Sequence, residues 1–437
     1  MIHVGDNVKK IQTLNFIHND IGQDRNILSL PDTAFNTFHM VTKFDQWLAR
    51  KLLVEIGNPP VSIKLWNNEE IICSTLNPVT RIKIKDRSSV FMLLVNPGLH
   101  FGDLYSTGKI DIEGDIPLFL DIIYRYLHER NKHSLLSFWI KNRPRSNSLT
   151  DSRKNIHHHY DISNEFYQQW LDHENMQYTC AYFPDPSMSL EQAQIAKMHH
   201  ICRKLSLKPG QKVVEAGCGW GGLARFMAKE YGAIVKAYNI SHQQIAYAHQ
   251  KMLQENLAEQ VEFIEDDYRN IQGNYDVFVS VGMLEHIGID NYHKLGEVIN
   301  SILKEDGMGL IHAIGRNQPG QLNEWIEARI FPGACPPSLG QMMNIFEPWS
   351  FSILDVENLR LHYAKTLEHW LTRFEKNINT FRYIYDEAFV RAWRLYLTGS
   401  MAAFTSGTMQ LFQILFTRQQ NNKLHRSRSY LYDNQPN

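Results

Sequence analysis

The spacing of hydrophobic residues divides the chain into an amino-terminal and a carboxyl-terminal part. In the first part, a helical repeat over residues 44–52 precedes alternating patterns at 61–65 and 81–85, which predict strands, and an apolar helix over residues 117–126. This order predicts a small α+β domain over residues 31–140 that docks or presents a substrate, because it holds no obvious catalytic constellation. The helical repeat consists of Phe44, Trp47, Leu48 and Leu52.

In the second part, short apolar runs alternate with helical patterns. The runs predict five strands, which are Val213–Ala216, Ile234–Tyr238, Val261–Glu265, Tyr275–Val281 and Gly307–Ile314. Helical patterns lie between them, for example at 223–231 and 292–303. The alternation predicts an α/β domain, in which ligands bind beyond the carboxyl ends of the strands.

A glycine-rich turn follows the first of these strands. From Lys212 the chain reads Lys-Val-Val-Glu-Ala-Gly-Cys-Gly-Trp-Gly-Gly. Without Cβ atoms at Gly217, Gly219 and Gly221, a ligand can approach the backbone N–H groups at a helix N-terminus. Dinucleotide-binding folds share such turns, but Glu215 at the end of the strand suits an ammonium group better than a pyrophosphate. We therefore favour S-adenosylmethionine over NAD, the alternative being a strand-turn-helix without a ligand.

Composition is that of an ordinary globular protein, and 437 residues are enough for two domains. The 45 basic and 46 acidic residues nearly balance, so we expect no nucleic-acid partner. The 5 cysteines are scattered and form no Cys-x-x-Cys pair, which indicates neither a disulfide framework nor a zinc site and fits a reducing compartment. We assign no metal to His157–His159, since three adjacent histidines cannot all face one ion in a regular element.

Three polar segments and the lack of long apolar runs bear on where the protein works. Residues 1–30 predict a flexible arm and residues 421–437 a polar tail, with disorder expected from Arg418 onward. Residues 141–154 predict a basic linker, which adds attraction to anionic lipid of about 1 kcal/mol per charge near a membrane, or else is simply solvated. No apolar run of about 18 residues and no signal pattern occurs, so we expect a cytosolic protein.

Eight motifs occur in a fixed order in the second part. They are His159–Tyr167, Met176–Phe183, Val213–Gly222, Asp267–Arg269, Ser280–His286, His312–Gly315, Ile330–Ser338 and His362–Leu367. Over roughly residues 155–420 they resemble the catalytic domain of cyclopropane-fatty-acid synthases, relatives of mycolic acid cyclopropane synthases. The resemblance implies a Rossmann-like class I methyltransferase domain with a lipid-binding insertion, preceded by the smaller domain.

The resemblance also implies an activity and a setting for it. Enzymes of this family use S-adenosylmethionine to add a methylene group to the cis double bond of an unsaturated phospholipid acyl chain. The expected partner is therefore unsaturated phospholipid at the membrane surface. A cytoplasmic enzyme of this kind associates transiently with the inner face of the membrane. A homodimer is compatible with the sequence, which does not determine the assembly.

Ten residues are expected to hold the cofactor. The resemblance implies that Asn239 and Gln244 line the ribose side, although Gln244 is also the predicted capping-box partner of Ser241. The carboxylate of Asp267 suits the adenine amine, and the ring of Tyr268 suits the adenine ring. The whole set is Tyr178, Thr179, Glu215, Gly217, Cys218, Gly219, Asn239, Gln244, Asp267 and Tyr268.

The implied chemistry needs a dry cavity. An isolated alkene is a poor nucleophile, so close in-line placement of the methyl donor has to drive a transfer that leaves a carbocation on the acyl chain. Aromatic faces stabilise such a cation without capturing it. The candidates, each of which is also a candidate core residue, are Tyr178, Tyr182, Phe183, Tyr268, Tyr363 and Trp370.

Ring closure needs a base, and the resemblance implies that this base is a bound bicarbonate. It would be held by the side chains of Glu285, His312 and Tyr363 and by backbone groups of Cys180 and Ile314. Relatives often carry a cysteine where this chain has Ser400, so a covalent thiol mechanism is excluded at that position. We expect the three side chains to converge beside the turn at Gly217.

Residues 316–350 exceed what a minimal methyltransferase needs and predict one wall of an apolar acyl channel. The apolar residues of this insertion are Trp325, Ile330, Phe331, Met342, Met343 and Trp349. The stretches 363–374 and 404–416 are expected to complete the channel.

Two other functions stay open at this point. An enzyme with the same fold and cofactor would produce a methyl-branched chain by hydride shift and reduction, or methylate a small amine. A non-catalytic protein would bind cofactor and lipid as a sensor or carrier. The intact set of anion-site residues favours the first function, that of a cyclopropane synthase.

Overall fold

The computed structural model describes residues 40–131 and 163–432, which form two compact units. One unit holds the described residues up to Phe119 together with Ile378–Leu395, and the other holds Leu120–Asn377 and the residues from Tyr396 on. The predictions for the arm, the basic linker, His157–His159 and the start of the first motif fall outside the described residues. The domain boundaries proposed above stay predictions.

The first unit is built on a four-stranded mixed sheet. Its helices are α1 (Lys43–Ile56), α2 (Arg87–Val95), α3 (Pro97–Ser106) and the start of α4 (Ile116–Asn131), and its strands are β1 (Val61–Lys64), β2 (Glu70–Ile71), β3 (Thr80–Ile84) and β4 (Ile110–Glu113). The strand order is β2-β1-β3-β4, in which only β1 and β3 pair in parallel. On α1, Leu48 and Leu52 are buried, whereas Phe44 and Trp47 are exposed and stack with ring centroids 5.8 Å apart. Only half of the predicted helical repeat therefore enters the core.

The late segment Ile378–Leu395 belongs to this first unit, which no pattern in the sequence indicates. Arg391 shows the physical reason. Its Nε donates a hydrogen bond to the carbonyl of Tyr105 at 2.6 Å, and its Nη2 donates to the carbonyl of Ile110 at 3.1 Å. The guanidinium also lies 4.1 Å from the centre of the Tyr105 ring, a cation–π contact.

The second unit holds a larger sheet covered by helices. Its helices are α5 (Asn164–Gln168), α6 (Leu190–Lys204), α7 (Gly222–Tyr231), α8 (His242–Gln254), α9 (Leu284–Ile287), α10 (Tyr292–Ile302), α11 (Glu324–Arg329), α12 (Leu339–Met342) and α13 (Arg360–Lys376). Helix α14 (Ile378–Ile384) and the start of α15 (Glu387–Thr405) belong to the first unit, and the end of α15 belongs to the second. Its strands are β5 (Lys212–Ala216), β6 (Ile234–Asn239), β7 (Val261–Glu265), β8 (Tyr275–Val281), β9 (Leu303–Gly315), β10 (Phe351–Asn358) and β11 (Gln410–Arg418). Short 3₁₀ turns occur at Tyr268–Asn270, Ile289–Asn291, Met343–Ile345, Glu347–Trp349 and Ser429–Leu431.

The sheet of the second unit has the order β10-β11-β9-β8-β5-β6-β7. The strands β5 to β9 pair in parallel and correspond to the five strands that the sequence predicts. The predicted Rossmann-like α/β architecture is confirmed. Because these strands are parallel, their carboxyl ends meet at one edge, and the turns after β5, β6, β7 and β8 lie side by side there.

Two antiparallel strands at the other side of the sheet were not predicted. β11 pairs with β9 and β10, so its residues lie in the interior of the sheet. The prediction of disorder from Arg418 onward is wrong for the described part of the tail. Arg428 there forms an ion pair of 2.6 Å with the nearly buried Asp355, and Leu431 is buried. The sequence does not reveal this packing, because the residues after β11 are polar and show no hydrophobic pattern.

The hydrophobic core of the second unit lies on both faces of the sheet. Along β5, Val213 belongs to one buried cluster and Val214 to the other, and Val277 and Phe278 of β8 divide in the same way. This alternation follows from the period of two along a strand. In the described parts of the chain, no helix has the length and apolarity that crossing a bilayer requires.

The glycines of the turn after β5 serve different purposes. A Cβ atom at Gly219 would meet nothing within 4 Å, so this position leaves space open, as the sequence argument expects. At Gly221, which has φ +75°, a Cβ atom would collide with the ring of Phe263 and lie 2.8 Å from the Cβ of Ala248. Gly221 is therefore required by packing of the turn against β7 and α8, not by an approaching ligand.

We expect Gly221→Ala to lower the free energy of unfolding by about 2–4 kcal/mol, because it adds a steric collision to backbone strain. Gly210→Ala is the matched control, since Gly210 has φ +78° and an open Cβ direction, and should cost only about 1 kcal/mol. Chemical denaturation followed by circular dichroism measures both. Equal losses in the two variants would contradict the packing requirement.

Candidate functional site

The first cavity of the second unit lies at the carboxyl ends of β5 to β8 and has a volume of about 1020 Å³. All ten residues predicted to hold the cofactor line it. They are Tyr178, Thr179, Glu215, Gly217, Cys218, Gly219, Asn239, Gln244, Asp267 and Tyr268. The ten residues that the sequence predicts as one site therefore do surround one cavity. Their roles in binding a cofactor stay predictions.

Glu215 is the buried acid of this cavity. Its Oε2 has no hydrogen-bond partner, and burial raises its pKa to about 8, an effect that Lys197 opposes. Lys197 on α6 is also buried, which lowers its own pKa to about 8. Its ammonium group donates hydrogen bonds to Oε1 of Gln177 and, at 3.0 Å, to Oγ1 of Thr179. An unpartnered buried carboxyl oxygen on a cavity wall suits a cationic ligand.

The polar side chains at the end of β6 and after β7 each bond to a residue that follows shortly in the chain. Asn239 donates from Nδ2 to Oε1 of Gln244 at 2.7 Å, so Gln244 does not complete a capping box. Ser241 still caps α8 by accepting a hydrogen bond from the Gln244 amide. The carboxylate of Asp267 accepts hydrogen bonds from the Arg269 guanidinium at 2.7 and 3.0 Å, a partner that the sequence analysis does not anticipate.

The second cavity, of about 1140 Å³, holds the five residues predicted for the anion site. They are Cys180, Glu285, His312, Ile314 and Tyr363. The two cavities share four lining residues, which are Tyr178, Thr179, Gly282 and His286. Since Gly282 follows β8 directly and Tyr178 lies on both walls, the predicted anion site adjoins the predicted cofactor site.

Glu285 on α9 is held by one of its two carboxyl oxygens. Oε1 accepts a hydrogen bond from the amide of Ile314 at 2.5 Å, and Oε2 has no partner. Burial raises the pKa of Glu285 to about 7, although the Ile314 hydrogen bond opposes the shift. The Ile314 amide therefore orients Glu285, whereas the sequence analysis expects it to contact the anion itself.

His312 on β9 lies opposite Gln413 on β11, its partner in the strand register. Nε2 of Gln413 is 3.1 Å from Nδ1 of His312. In this amide orientation Gln413 donates, so Nδ1 accepts and the imidazole proton resides on Nε2. Burial lowers the pKa of His312 to about 3, which makes the ring neutral at physiological pH. Nε2, a donor without a protein partner, is thus available on the wall of an apolar cavity.

The remaining members of the predicted anion site are packed into this wall. The Cys180 thiol contacts the carbonyl of Ala181 at 3.1 Å, and burial raises its pKa. The Tyr363 ring stacks on Phe404 with ring centroids 4.5 Å apart. Ser400 lines the same cavity.

Three of the predicted lining residues pack against other side chains instead, and only Phe183 and Trp370 of them are buried in the core. Tyr182 stacks on His200 at 4.3 Å, Phe183 stacks on His369 at 5.4 Å, and Trp370 is fully buried. None of these three lines either cavity. Their aromatic character suited a cation site, but side-chain direction cannot be derived from residue type alone.

The insertion after β9 contributes only part of its apolar residues to the second cavity. Its lining residues are Arg316, Leu322, Asn323, Ile326, Phe331, Ala334 and Pro336. Met342, Met343 and Trp349 pack in the core cluster that includes α10, and Trp325 and Ile330 are buried outside the cavity lining. The predicted wall therefore ends near residue 336.

Three residues that the sequence analysis does not single out shape the two cavities. Lys197 interrupts an apolar helical stripe, Gln413 interrupts an apolar strand, and Arg316 directly follows the His312–Gly315 motif. A polar residue within an apolar pattern is a signal that the sequence does contain. Its partner, however, comes from another element and requires the fold.

Comparisons with known proteins agree with this arrangement. Residues 147–414 match the family described as Mycolic acid cyclopropane synthetase, and residues 48–135 match a family described as a domain of unknown function. A probable fatty acid methyltransferase of Pseudomonas putida is 35% identical over 366 residues, which are 82% of this chain and 91% of that protein. The cyclopropane-fatty-acyl-phospholipid synthase of Escherichia coli (strain K12) is 39% identical over 272 residues, 62% of this chain and 69% of that protein. The crystal structure of the mycolic acid cyclopropane synthase CmaA1 complexed with SAH and CTAB has a TM-score of 0.58 at 27% identity, covering 61% of this chain and 98% of that chain.

We expect the affinity for SAH to rise between pH 6 and pH 8 and then to level off. The pKa of Glu215 is raised to about 8, so below that pH the carboxyl group has to lose its proton before it can pair with the ligand ammonium group. Lys197→Met removes the cation that favours the ionised carboxylate of Glu215. We therefore expect this variant to bind SAH about tenfold more weakly at pH 7.5 and its affinity for SAH to keep rising above pH 8.

Isothermal titration calorimetry with SAH at several pH values measures this effect. Lys229→Met on the exposed side of α7 is the control for loss of a positive charge. An unchanged pH profile in Lys197→Met would rule out electrostatic support of Glu215 by Lys197.

Proposed function

We propose a function from the finding that this chain belongs to the mycolic acid cyclopropane synthetase family. The protein adds a methylene group to the cis double bond of an unsaturated phospholipid acyl chain. The chain is a methyltransferase that uses S-adenosylmethionine, of the cyclopropane-synthase type. The observation that carries the finer proposal is the pair of adjoining cavities. One presents the unpartnered Oε2 of Glu215, and the other presents the unpartnered Oε2 of Glu285 and Nε2 of His312 in an apolar setting.

The first cavity fits S-adenosylmethionine. Glu215 pairs with the ammonium group, and the open space at Gly219 admits the ligand close to the backbone. Asn239 and Gln244 offer amide groups to the ribose, and the Tyr268 ring offers an apolar face to the adenine. A relative of known structure is complexed with SAH, which is what remains of S-adenosylmethionine after methyl transfer.

We assign bicarbonate to the unpartnered polar atoms of the second cavity. S-adenosylmethionine supplies the methyl group, and bicarbonate supplies the base that takes one proton from it as the ring closes. His312 is neutral with its proton on Nε2, so it donates a hydrogen bond to an oxyanion. Glu285, with a pKa of about 7, exists partly as the carboxylic acid at neutral pH and then donates as well instead of repelling the anion. Ile314 holds Glu285 in this position.

The surroundings suit a short-lived carbocation. Attack of the alkene on the methyl group would form one carbon–carbon bond and break the carbon–sulfur bond, so that SAH leaves and the positive charge passes from sulfur to the acyl chain. Loss of one proton from the former methyl group would then close the ring. Tyr178 and Tyr363 line the cavity with aromatic rings, which stabilise a cation without forming a bond to it. Leu367 and Phe404 contribute apolar surface that excludes water, the competing nucleophile.

A second candidate product is a methyl-branched chain. The relative from Pseudomonas putida that matches 82% of this chain is named a probable fatty acid methyltransferase, a name that fits either product. Both routes share the methyl transfer and differ only in the fate of the carbocation. Transfer to a small amine is less favoured, because the polar atoms of the second cavity suit an anion.

We further propose that the reaction takes place at the cytoplasmic surface of a membrane. A phospholipid acyl chain has to leave the bilayer to enter the second cavity, so the enzyme has to associate with the lipid surface at least transiently. The basic linker at 141–154 supports this setting through its attraction to anionic lipid, although it lies outside the described residues.

Incubation of the purified protein with labelled S-adenosylmethionine and vesicles of a cis-unsaturated phospholipid tests the function directly. We expect label in a cyclopropane fatty acid, identified by mass spectrometry after transesterification. Label in a branched chain would support the second candidate product. Absence of transfer to lipid would overturn the proposal in favour of a binding protein.

We expect Glu285→Gln and His312→Ala to lower kcat for ring formation by about 100-fold or more, because each removes a group that holds the base. SAH affinity should stay close to that of the wild type, since neither residue lines the first cavity. Removal of dissolved carbon dioxide should also slow the wild type, and added bicarbonate should restore it. Glu347→Gln on the surface is the control, and wild-type turnover in either active-site variant would contradict the assignment.

A further inference from the structure

Arg316 places a guanidinium group on the wall of the otherwise apolar second cavity. It follows the last residue of β9, and its backbone amide donates to the carbonyl of Pro337 at 2.8 Å. A parallel bridge to Ser338 holds the same residue from the insertion. The backbone of Arg316 is thus held by the segment at Pro337 and Ser338. Its Nε atom, by contrast, is buried and has no hydrogen-bond partner.

The charge of Arg316 has no acidic partner among the described groups that act on it. Burial lowers its pKa, and the groups that oppose this shift are Tyr124 and Cys335, neither of which is a carboxylate. An arginine nevertheless stays protonated in a protein. A half-buried guanidinium group with a buried, unpartnered Nε and no carboxylate beside it suits a position where an anion can bind.

The anion that fits Arg316 differs from the base assigned to Glu285 and His312. Arg316 is not among the groups that affect the pKa of Glu285 or of His312 most. It lies instead on the part of the cavity wall that pairs with Pro337 and Ser338. Its neighbours in the chain that line the same cavity are Leu322, Asn323 and Ile326, a largely apolar set with one amide.

We propose that Arg316 binds the anionic head of the lipid substrate, a phosphate or carboxylate oxyanion whose acyl chain extends into the second cavity. The inference rests on the proposed function, which supplies a lipid with such a group. The guanidinium fork matches phosphate and carboxylate oxygens with two parallel hydrogen bonds. Recognition of the head at a fixed residue would also set how far along the acyl chain the reacting double bond lies.

Binding of three probes that share one oleoyl chain tests the proposal. The probes are oleoyl lysophosphatidic acid, oleate and monooleoylglycerol, each added below its micelle concentration to the SAH-loaded full chain. We expect the wild type to bind at least one of the two anionic probes about tenfold more tightly than monooleoylglycerol, the scale of a charge-assisted hydrogen bond. Arg316→Gln should remove this preference while leaving the affinity for monooleoylglycerol nearly unchanged.

The control Arg426→Gln removes an exposed arginine of the same unit and should keep the preference. Arg316→Lys keeps the charge but not the fork, so we expect it to retain only part of the preference; it also carries the test if Arg316→Gln melts at a markedly lower temperature. Tighter binding of the phosphate probe identifies a phospholipid head, and tighter binding of oleate identifies a free fatty acid.

A wild type without preference, or an Arg316→Gln variant that keeps the preference, would overturn the inference. Ring formation on phospholipid vesicles tells this result apart from failure of the proposed function. If the wild type forms the ring but Arg316 does not affect head-group preference, only the role of Arg316 fails. If no lipid is methylated, the proposed function itself fails.

Discussion

Burial of ionisable groups at the carboxyl edge of one parallel sheet is the constraint on which the rest of this structure depends. Glu215, Glu285 and His312 come from three different strands or the turns after them, and burial shifts each toward its neutral form. Each of these residues also has one polar atom without a partner. Such an atom costs about 1–3 kcal/mol when buried, so the fold accepts this cost at the edge where a ligand can offset it.

The neighbours of these groups decide what each can do. The Ile314 amide holds one oxygen of Glu285, and Gln413 sets the tautomer of His312, so both residues present a single defined atom to the second cavity. Lys197 favours the ionised form of Glu215 in the first cavity. The result is one cavity with an acid that suits a cation and a second in which neutral His312 and the protonated form of Glu285 can donate hydrogen bonds to an anion.

The two cavities also share a wall that is held by hydrogen bonds. Thr179 lines both cavities and accepts a hydrogen bond from Lys197, the same residue that acts on Glu215. Tyr178 lies on the same wall, and its hydroxyl is 2.8 Å from that of Tyr396. The wall between the two cavities is thus held in place by hydrogen bonds from α6 and α15.

Local pattern determines much of this protein's fold. The five parallel strands and the turn at Gly217 follow from periodicities and short-range residue preferences, and ligands bind at the carboxyl ends of such strands, where Glu285 and His312 lie. The roles expected of the other site residues rest on the motifs that resemble those of cyclopropane synthases. Tertiary structure decides what depends on long-range pairing. The insertion of β11 beside β9 sets Gln413 opposite His312, and Arg391 helps hold Ile378–Leu395 in the first unit. Side-chain direction turns Phe183 and Trp370 into the core and stacks Tyr182 on His200, away from both cavities. The physical reason is that hydrophobic periodicity acts within one element, whereas burial, tautomer and pKa are set by atoms from elements distant in the chain.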